Sequence, residues 1–384
     1  MSRDLFAGHV PLLRPWLADE EIAAVTEVLR SGWIAQGPKV AEFETAVARM
    51  VGARAAVATN SATTALHLML AVAGIGAGDE VLLPSFTCMA TANAVVMAGA
   101  EVRFADIERR SYNLDVHDTE ARVGPRTRAV LLVDQIGLPA DQDAFRELCR
   151  RHGLLLLEDA ATAFGARYKG RMLGGTGLPT VFSFHPRKVI TTGEGGMLLI
   201  DDEAMAERAR ALRSGGASVS DLVRHEAKGT ILQAYEDAGF NYRMTDLQGA
   251  IGLVQLDRLG DIQRERRAQA EFYGRALAGF EEVETPSEPE WAQHAWSSYC
   301  VRVRRDAPVD APTLVGRLAA RGISCRHGIP PLHHEPYFRA RMAGLVLPET
   351  EAAARETLFL PIFPGLTTEQ QAFVVRTFSE ALPP

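Results

Sequence analysis

Cysteine is scarce in this chain. Four residues in 384 (Cys88, Cys149, Cys300 and Cys325) stand far apart, with no CxxC pair and no metal-ligand spacing. This argues against a disulfide framework or a cysteine-based metal centre, and reads as reduced thiols in a cytosolic protein. No metal is expected. Long apolar runs are missing too: none approaches the roughly 20 residues needed to span a bilayer. The opening Met1-Ser2-Arg3-Asp4-Leu5 lacks the charged-then-apolar layout of a secretion signal, so a cytoplasmic location is expected. Nor is there an excess of positive charge. Lys and Arg number 41 against 48 Asp and Glu, the formal net charge is -7 and the pI about 5.9. That leaves no electrostatic footprint for nucleic acid or an anionic membrane. Low-complexity segments, heptads and internal repeats are absent.

What remains is a composition of 47% hydrophobic and 23% charged residues, in a length that suits one large domain and a smaller one. Asp19 to Arg30 places Ile22, Val25, Val28 and Leu29 at helical spacing, and Val40 to Met50 follows as a second helix. Apolar runs and helical patterns then alternate. Strands are predicted at Ala55–Ala58, Glu80–Leu83, Val102–Ala105, Ala129–Val133 and Leu154–Leu157. Helices are predicted at Ala62–Ala73, Met89–Ala98 and Asp141–Arg151. This alternation implies an α/β fold with a mainly parallel central sheet sandwiched by helices, and ligands in such sheets bind beyond the carboxyl ends of the strands. A long helical region, Thr245 to Leu277, leads through a Pro/Glu-rich stretch into a strand near Ser298–Val303, a helix at Pro312–Ala320 and a last helix after Thr367. These suggest a large domain over 1–260 and a small C-terminal α+β domain over 261–384.

The most informative stretch is Phe182-Ser183-Phe184-His185-Pro186-Arg187-Lys188, followed by Thr191-Thr192-Gly193-Glu194-Gly195-Gly196. Val181–Phe184 reads as the end of a buried strand, and Met197–Ile200 as the next. A lysine in the turn between them sits beside a core that hydrates it poorly, and desolvation lowers a lysine's pKa and frees the amine as a nucleophile. Taken alone, a solvated turn lysine is the commoner outcome. Upstream, the strand Leu154–Leu157 ends in Glu158-Asp159. Asp159 is either a helix cap or, if Lys188 carries pyridoxal phosphate, the carboxylate that keeps the pyridine nitrogen protonated so that the ring can accept electrons. Thr59-Asn60-Ser61-Ala62-Thr63-Thr64 lies between a strand and a helix, where free backbone N–H groups suit a phosphate. By itself this pattern is equally an ordinary N-cap.

Together these residues resemble the pyridoxal-phosphate-dependent sugar aminotransferases of the DegT/DnrJ/StrS type, with the aspartate-aminotransferase fold (fold type I). The resemblance runs nearly the whole length. It takes in Arg30-Ser31-Gly32-Trp33, Gln36-Gly37-Pro38-Lys39-Val40, Gly78-Asp79-Glu80-Val81 and Pro84-Ser85-Phe86-Thr87. It continues through Glu158-Asp159-Ala160-Ala161, the Lys188 segment and Gly239-Phe240-Asn241-Tyr242-Arg243-Met244, and closes with Pro331-Leu332-His333 and Leu360-Pro361-Ile362-Phe363-Pro364-Gly365. The resemblance implies that Lys188 forms the Schiff base, that Asp159 partners the pyridinium, and that Ser183, Ala62 and Thr63 face the phosphate. It also implies that Asn241 reaches the phosphate of a neighbouring subunit's cofactor, hence a homodimer with shared active sites. Two positions depart from the family pattern. Cys88 stands where many relatives carry an aromatic residue against the ring, and Thr162 where they have Gln or His.

The implied reaction is ping-pong transfer of an amino group from glutamate or glutamine to a keto sugar. The acceptor implied is a nucleotide-linked 4-keto-6-deoxy sugar, with a 3-keto sugar, a keto-cyclitol or a non-catalytic regulatory relative as alternatives. Relatives that dehydrate sugars carry histidine at the position of Lys188. Candidate substrate contacts are His185, Arg243, Arg326, His327, His333 and Tyr337, with Arg326 and His327 facing a diphosphate; each also has an ordinary surface or capping role open to it. Ser218–Asp237, with His225 and Lys228, is expected to form a loop or short helices over the site.

Overall fold

The structure is a computed structural model that describes residues 8–217, 219, 234–235 and 237–382. Most of the expected covering segment, His225 and Lys228 included, lies outside the described residues.

The chain lays down β1 (Ala55–Thr59), β2 (Glu80–Pro84), β3 (Glu101–Ala105), β4 (Thr127–Val133), β5 (Leu155–Asp159), a short hairpin of β6 (Arg167–Tyr168) and β7 (Arg171–Met172), then β8 (Thr180–Ser183) and β9 (Gly196–Ile200). Seven of these form one sheet in the order β1-β9-β8-β5-β4-β2-β3. Every pairing from β8 to β3 is parallel, and β9 alone runs against its neighbours. Each of β1, β2, β8 and β9 is buried throughout, the pattern of strands covered on both faces. Alternate side chains enter different cores. Val57, Val81, Leu131, Val181 and Leu198 pack with helices Ala62–Val72, Met89–Met97 and Glu203–Arg213 on one face. Ala58, Phe182, Met197 and Leu199 face helix Pro38–Val51 on the other, while Leu82, Val130 and Leu132 meet helix Gln142–His152.

A second core surrounds a four-stranded antiparallel sheet in the order β10-β12-β14-β13, made of β10 (Val283–Glu284), β12 (Tyr299–Val303), β13 (Arg326–His327) and β14 (Thr357–Leu360). Between β10 and β12, β11 (Ala292–Gln293) pairs with β6 instead. Helices Ala311–Ala319 and Thr368–Ala381 cover the small sheet. Val10 returns to this core and bridges Ile323, a long-range pairing that local periodicity does not register. The helical region expected over Thr245–Leu277 is two helices, Asp246–Asp257 and Leu259–Leu277, parted at Arg258. Arg258 is tied to Glu20 and Glu21, and both sides keep helical spacing, so the pattern runs through the break. Leu259 and Ile262 enter the first core, whereas Ala270, Tyr273 and Leu277 enter the second. No helix of the described residues is long and apolar enough to cross a membrane.

One buried carboxylate ties these layers together. Helix Pro38–Val51 starts at Gly37, which has no side chain to cap it. The cap comes from Asp246, 1% exposed, whose carboxylate accepts from Gly37 N (2.8 Å), Lys39 N (3.0 Å) and Val40 N (3.0 Å). Gly249, one turn further, lets the two helices touch: a Cβ there would lie 2.9 Å from the backbone of Lys39 and Val40. Asp246→Ala leaves three N–H groups without a charged acceptor. It is expected to cost about 3 kcal/mol in urea unfolding, with the m-value unchanged.

Candidate active site

The C-terminal ends of the parallel strands gather the expected residues. Ser183 closes β8, Asp159 closes β5, and Lys188 lies in the loop from β8 back into β9. That loop is pinned at its base. Thr192 N and Thr191 Oγ1 both donate to the Phe184 carbonyl (2.9 Å each), and Val189 and Ile190 are buried as anchors. Lys188 N donates to His185 O (2.8 Å), which tightens the turn that carries the amine.

Burial holds the Lys188 amine below its ordinary pKa, and the nearby Arg187 and Arg326 push the same way. The Asp159 carboxylate opposes them. Asp159, 3% exposed, is pushed up by burial, with Thr91, the Ala161 N–H and Lys188 pulling it back. Thr91 Oγ1 donates to Asp159 Oδ2 at 2.7 Å, Ala161 N donates to Oδ1 at 3.0 Å, and the Thr87 and Thr91 hydroxyls meet at 3.1 Å. Each charge is therefore unfavourable alone and relieved by the other. Two further acids lie close behind. Asp134 accepts from Ala140 N (2.8 Å), and Glu158 accepts from Thr180 Oγ1 (2.8 Å) and from Gln142. Burial raises both pKa values.

Beside this pair, helix Ala62–Val72 points its N-terminus at the sheet. Ser61 Oγ accepts from Thr64 N (3.2 Å), leaving the N–H groups of Ala62 and Thr63 outside the helical ladder. Gly196 brings this turn against Ser183. It pairs with both Thr59 and Ser183, and a Cβ on it would lie 2.4 Å from the Ser61 carbonyl oxygen and 2.7 Å from Ala62 N. The cradle is thus a helix N-terminus, a serine hydroxyl and a glycine.

Cys88, exposed, is the N-cap residue of helix Met89–Met97 and lies within electrostatic reach of Lys188 and Arg326. Thr162 Oγ1 donates to the Asp134 carbonyl at 2.6 Å, so its hydroxyl proton is already committed. His185 shares the Lys188 turn, with its Nδ1 accepting from Arg187 N (3.1 Å). Arg326 comes from β13 of the other core and stacks on Phe359, 4.7 Å from the ring centroid. His327, next along the strand, lies within reach of Asp310 instead. His333 is 2% exposed, with Nδ1 2.7 Å from Ser85 Oγ. Tyr337 is exposed and stacks with Arg341. Asn241 is exposed and bridges Ser214, and the next carbonyl, of Tyr242, accepts from Asn60 N (2.9 Å). Arg243 follows, half-buried. Sequence reasoning missed Thr91, Arg187 and Asp134. For Thr91 a signal existed: Thr87 and Thr91 stand four apart across a helix start, where both hydroxyls share a side. Two cavities of about 490 and 580 Å³ open elsewhere, and no residue of this cluster lines either.

With a buried lysine, a buried carboxylate and a helix N-terminus gathered at one edge of the sheet, the chain also matches the DegT/DnrJ/EryC1/StrS aminotransferase family over residues 15–379. The chain belongs to that family. It is 39% identical over 364 residues to the spore coat polysaccharide biosynthesis protein SpsC of Bacillus subtilis (strain 168), covering 94% of each. Among solved structures, it is similar to DesV of S. venezuelae in complex with a ketimine intermediate (34% identity, TM-score 0.89, 98% of this chain and 100% of that one). It is also similar to a sugar aminotransferase of Micromonospora echinospora (30% identity, TM-score 0.88, 97% and 99%). This DegT/DnrJ/EryC1/StrS member is a pyridoxal-phosphate-dependent aminotransferase of fold type I. Gly196→Ala should displace the Ser61–Ala62 turn and weaken pyridoxal phosphate binding about tenfold, roughly 1.4 kcal/mol, read by titrating cofactor absorbance.

Proposed function

We propose that this aminotransferase moves an amino group from glutamate or glutamine to a nucleotide-linked 4-keto-6-deoxy sugar, in ping-pong order. The observation that carries the reading is the Lys188 amine, biased toward its neutral form, opposite a buried Asp159 carboxylate held by Thr91. The roles of SpsC, in spore coat polysaccharide biosynthesis, and of the Micromonospora sugar aminotransferase support a sugar acceptor.

Lys188, Asp159, Ser183, Ala62 and Thr63 would hold pyridoxal phosphate, with Cys88 and Thr162 beside it. The fit is chemical: a poorly hydrated amine, a buried carboxylate, and a helix N-terminus closed by a glycine too crowded for a side chain. When bound, the cofactor supplies an electron sink for a carbanion at the donor's Cα. Lys188 Nζ takes the proton from that Cα, and in the second half-reaction delivers one to the former keto carbon of the acceptor. A positioned base of this kind contributes roughly 10²–10⁴ in rate. Thr91 and the Ala161 N–H donate to Asp159 and favour its charged form against burial, and a cation set against it relieves the burial further. Among the described residues the Asn241 side chain has no hydrogen-bond partner on its own chain and is exposed, which suits a contact to a second copy in a homodimer with shared sites.

Arg187 and Arg326 add the substrate end. Among the described residues neither has a carboxylate partner, and Arg326 already meets a repelling Arg187. Two unneutralised guanidiniums near Lys188 fit a diphosphate, the anionic part of a nucleotide sugar. Arg326→Ala is expected to raise KM for the nucleotide sugar about tenfold or more with kcat little changed; an unaltered KM rejects that contact.

The central test is a single-turnover mix of cofactor-loaded protein with glutamate, then with glutamine. One equivalent of the matching oxo acid per site should be released, and Lys188→Ala should release none. Release of no oxo acid with either donor overturns the proposed donor reaction.

A further inference from the structure

His333, His334 and Glu351 converge at a place the transamination reading does not use. The two histidines occupy the turn Leu332–His334, while Glu351 projects from helix Pro348–Glu356. His333 Nε2 lies 3.5 Å from Glu351 Oε1 and His334 Nε2 lies 3.7 Å from the same oxygen. All three ligand atoms fall within 4.8 Å of one another.

Those separations are long for hydrogen bonds, whose heavy atoms lie about 2.7–3.2 Å apart. They approach the edges of a tetrahedron around zinc, where bonds of about 2.0–2.1 Å put donor atoms roughly 3.4 Å apart. The donor set is also that of a transition metal: two imidazoles and a carboxylate. The first ring is held from behind. Its Nδ1 meets Ser85 Oγ at 2.7 Å while its backbone N–H donates to the same oxygen at 3.0 Å, and Leu332 N donates to Ser85 O at 2.9 Å. A partner on Nδ1 sets the ring's orientation and leaves Nε2 to the metal. His334 is exposed, which opens a path for an ion, and its ring lies beside that of His333 with centroids 4.1 Å apart. Asp106 lies within reach of His333, whereas Arg355 sits 3.9 Å from the other Glu351 oxygen, Oε2.

We propose that His333, His334 and Glu351 bind a divalent transition metal of the zinc class, with the fourth position open to water. The ion ties helix Pro348–Glu356 to Ser85, the residue directly after β2 and three before Cys88. The site is separate from the cofactor cradle and does not depend on the transamination reading.

The test is calorimetric titration of Zn²⁺ alone into the cofactor-loaded protein, beside His334→Ala and Glu351→Gln. The wild type is expected to take up one equivalent per chain, and each variant to lose at least tenfold in affinity. Ser85→Ala, which removes the partner behind His333, should weaken binding by about tenfold. Co²⁺ in place of Zn²⁺ should give a visible ligand-field band that His334→Ala abolishes. Absence of uptake by the wild type, or the same stoichiometry and affinity in both ligand variants, overturns the site.

Discussion

Everything at the active edge depends on keeping an amine and a carboxylate out of water together. Lys188 and Asp159 both sit where burial opposes charge, and each is eased by the other. Such a pair is costly unless its remaining hydrogen-bonding capacity is met. On Asp159 the fold meets it with Thr91 and the Ala161 N–H; the loop that carries Lys188 is held by Thr191 and Thr192, which both donate to the Phe184 carbonyl. Neighbouring parallel strands make this possible because they end together. With β5 and β8 adjacent and in register, Asp159 pairs with Val181, two residues before Ser183 closes β8.

The same edge explains why β9 runs backwards. A parallel β9 would need a crossover returning the chain to the far end of the sheet. The antiparallel turn instead keeps Lys188 at the end where Asp159 emerges, and it brings Gly196 between Thr59 and Ser183. One glycine then serves two strands and the first turn of helix Ala62–Val72, which positions Ser61, Ala62 and Ser183 around a common space.

Most of the central sheet was legible because its strands are short apolar runs between strong helical patterns, and burial on both faces keeps that signal clean. The placement of Asp159 and Ser183 at strand ends and of Lys188 in the turn between two strands was legible from the apolar runs around them, while the roles expected of them came from the family resemblance. The rest depends on contacts distant in sequence. Val10 joins Ile323, Asp246 caps a helix that begins at Pro38, and β11 leaves its neighbours to pair with β6. No local period encodes such partners. The small strands β13 and β14 were missed because Arg326–His327 has no apolar alternation, and Thr357–Leu360 follows directly on a helix. The His333–His334–Glu351 cluster has no local signature either, because its members come from a turn and a helix well apart in sequence.

The two cores meet at the chemistry. Lys188, Asp159 and the anion cradle belong to the large sheet, but Arg326 rides on β13 of the small one, stacked on Phe359 of β14. Helix Leu259–Leu277 is embedded in both cores and ties the sheet that carries Arg326 to the one that carries Lys188 and Asp159. Repulsion between Arg187 and Arg326 resists their approach until an anion lies between them. An anion between the two guanidiniums would relieve that repulsion. On the proposed reading, the donor half-reaction would depend chiefly on Lys188 and Asp159 of the large core. On the same reading the acceptor half-reaction would also draw on Arg326 of the small core.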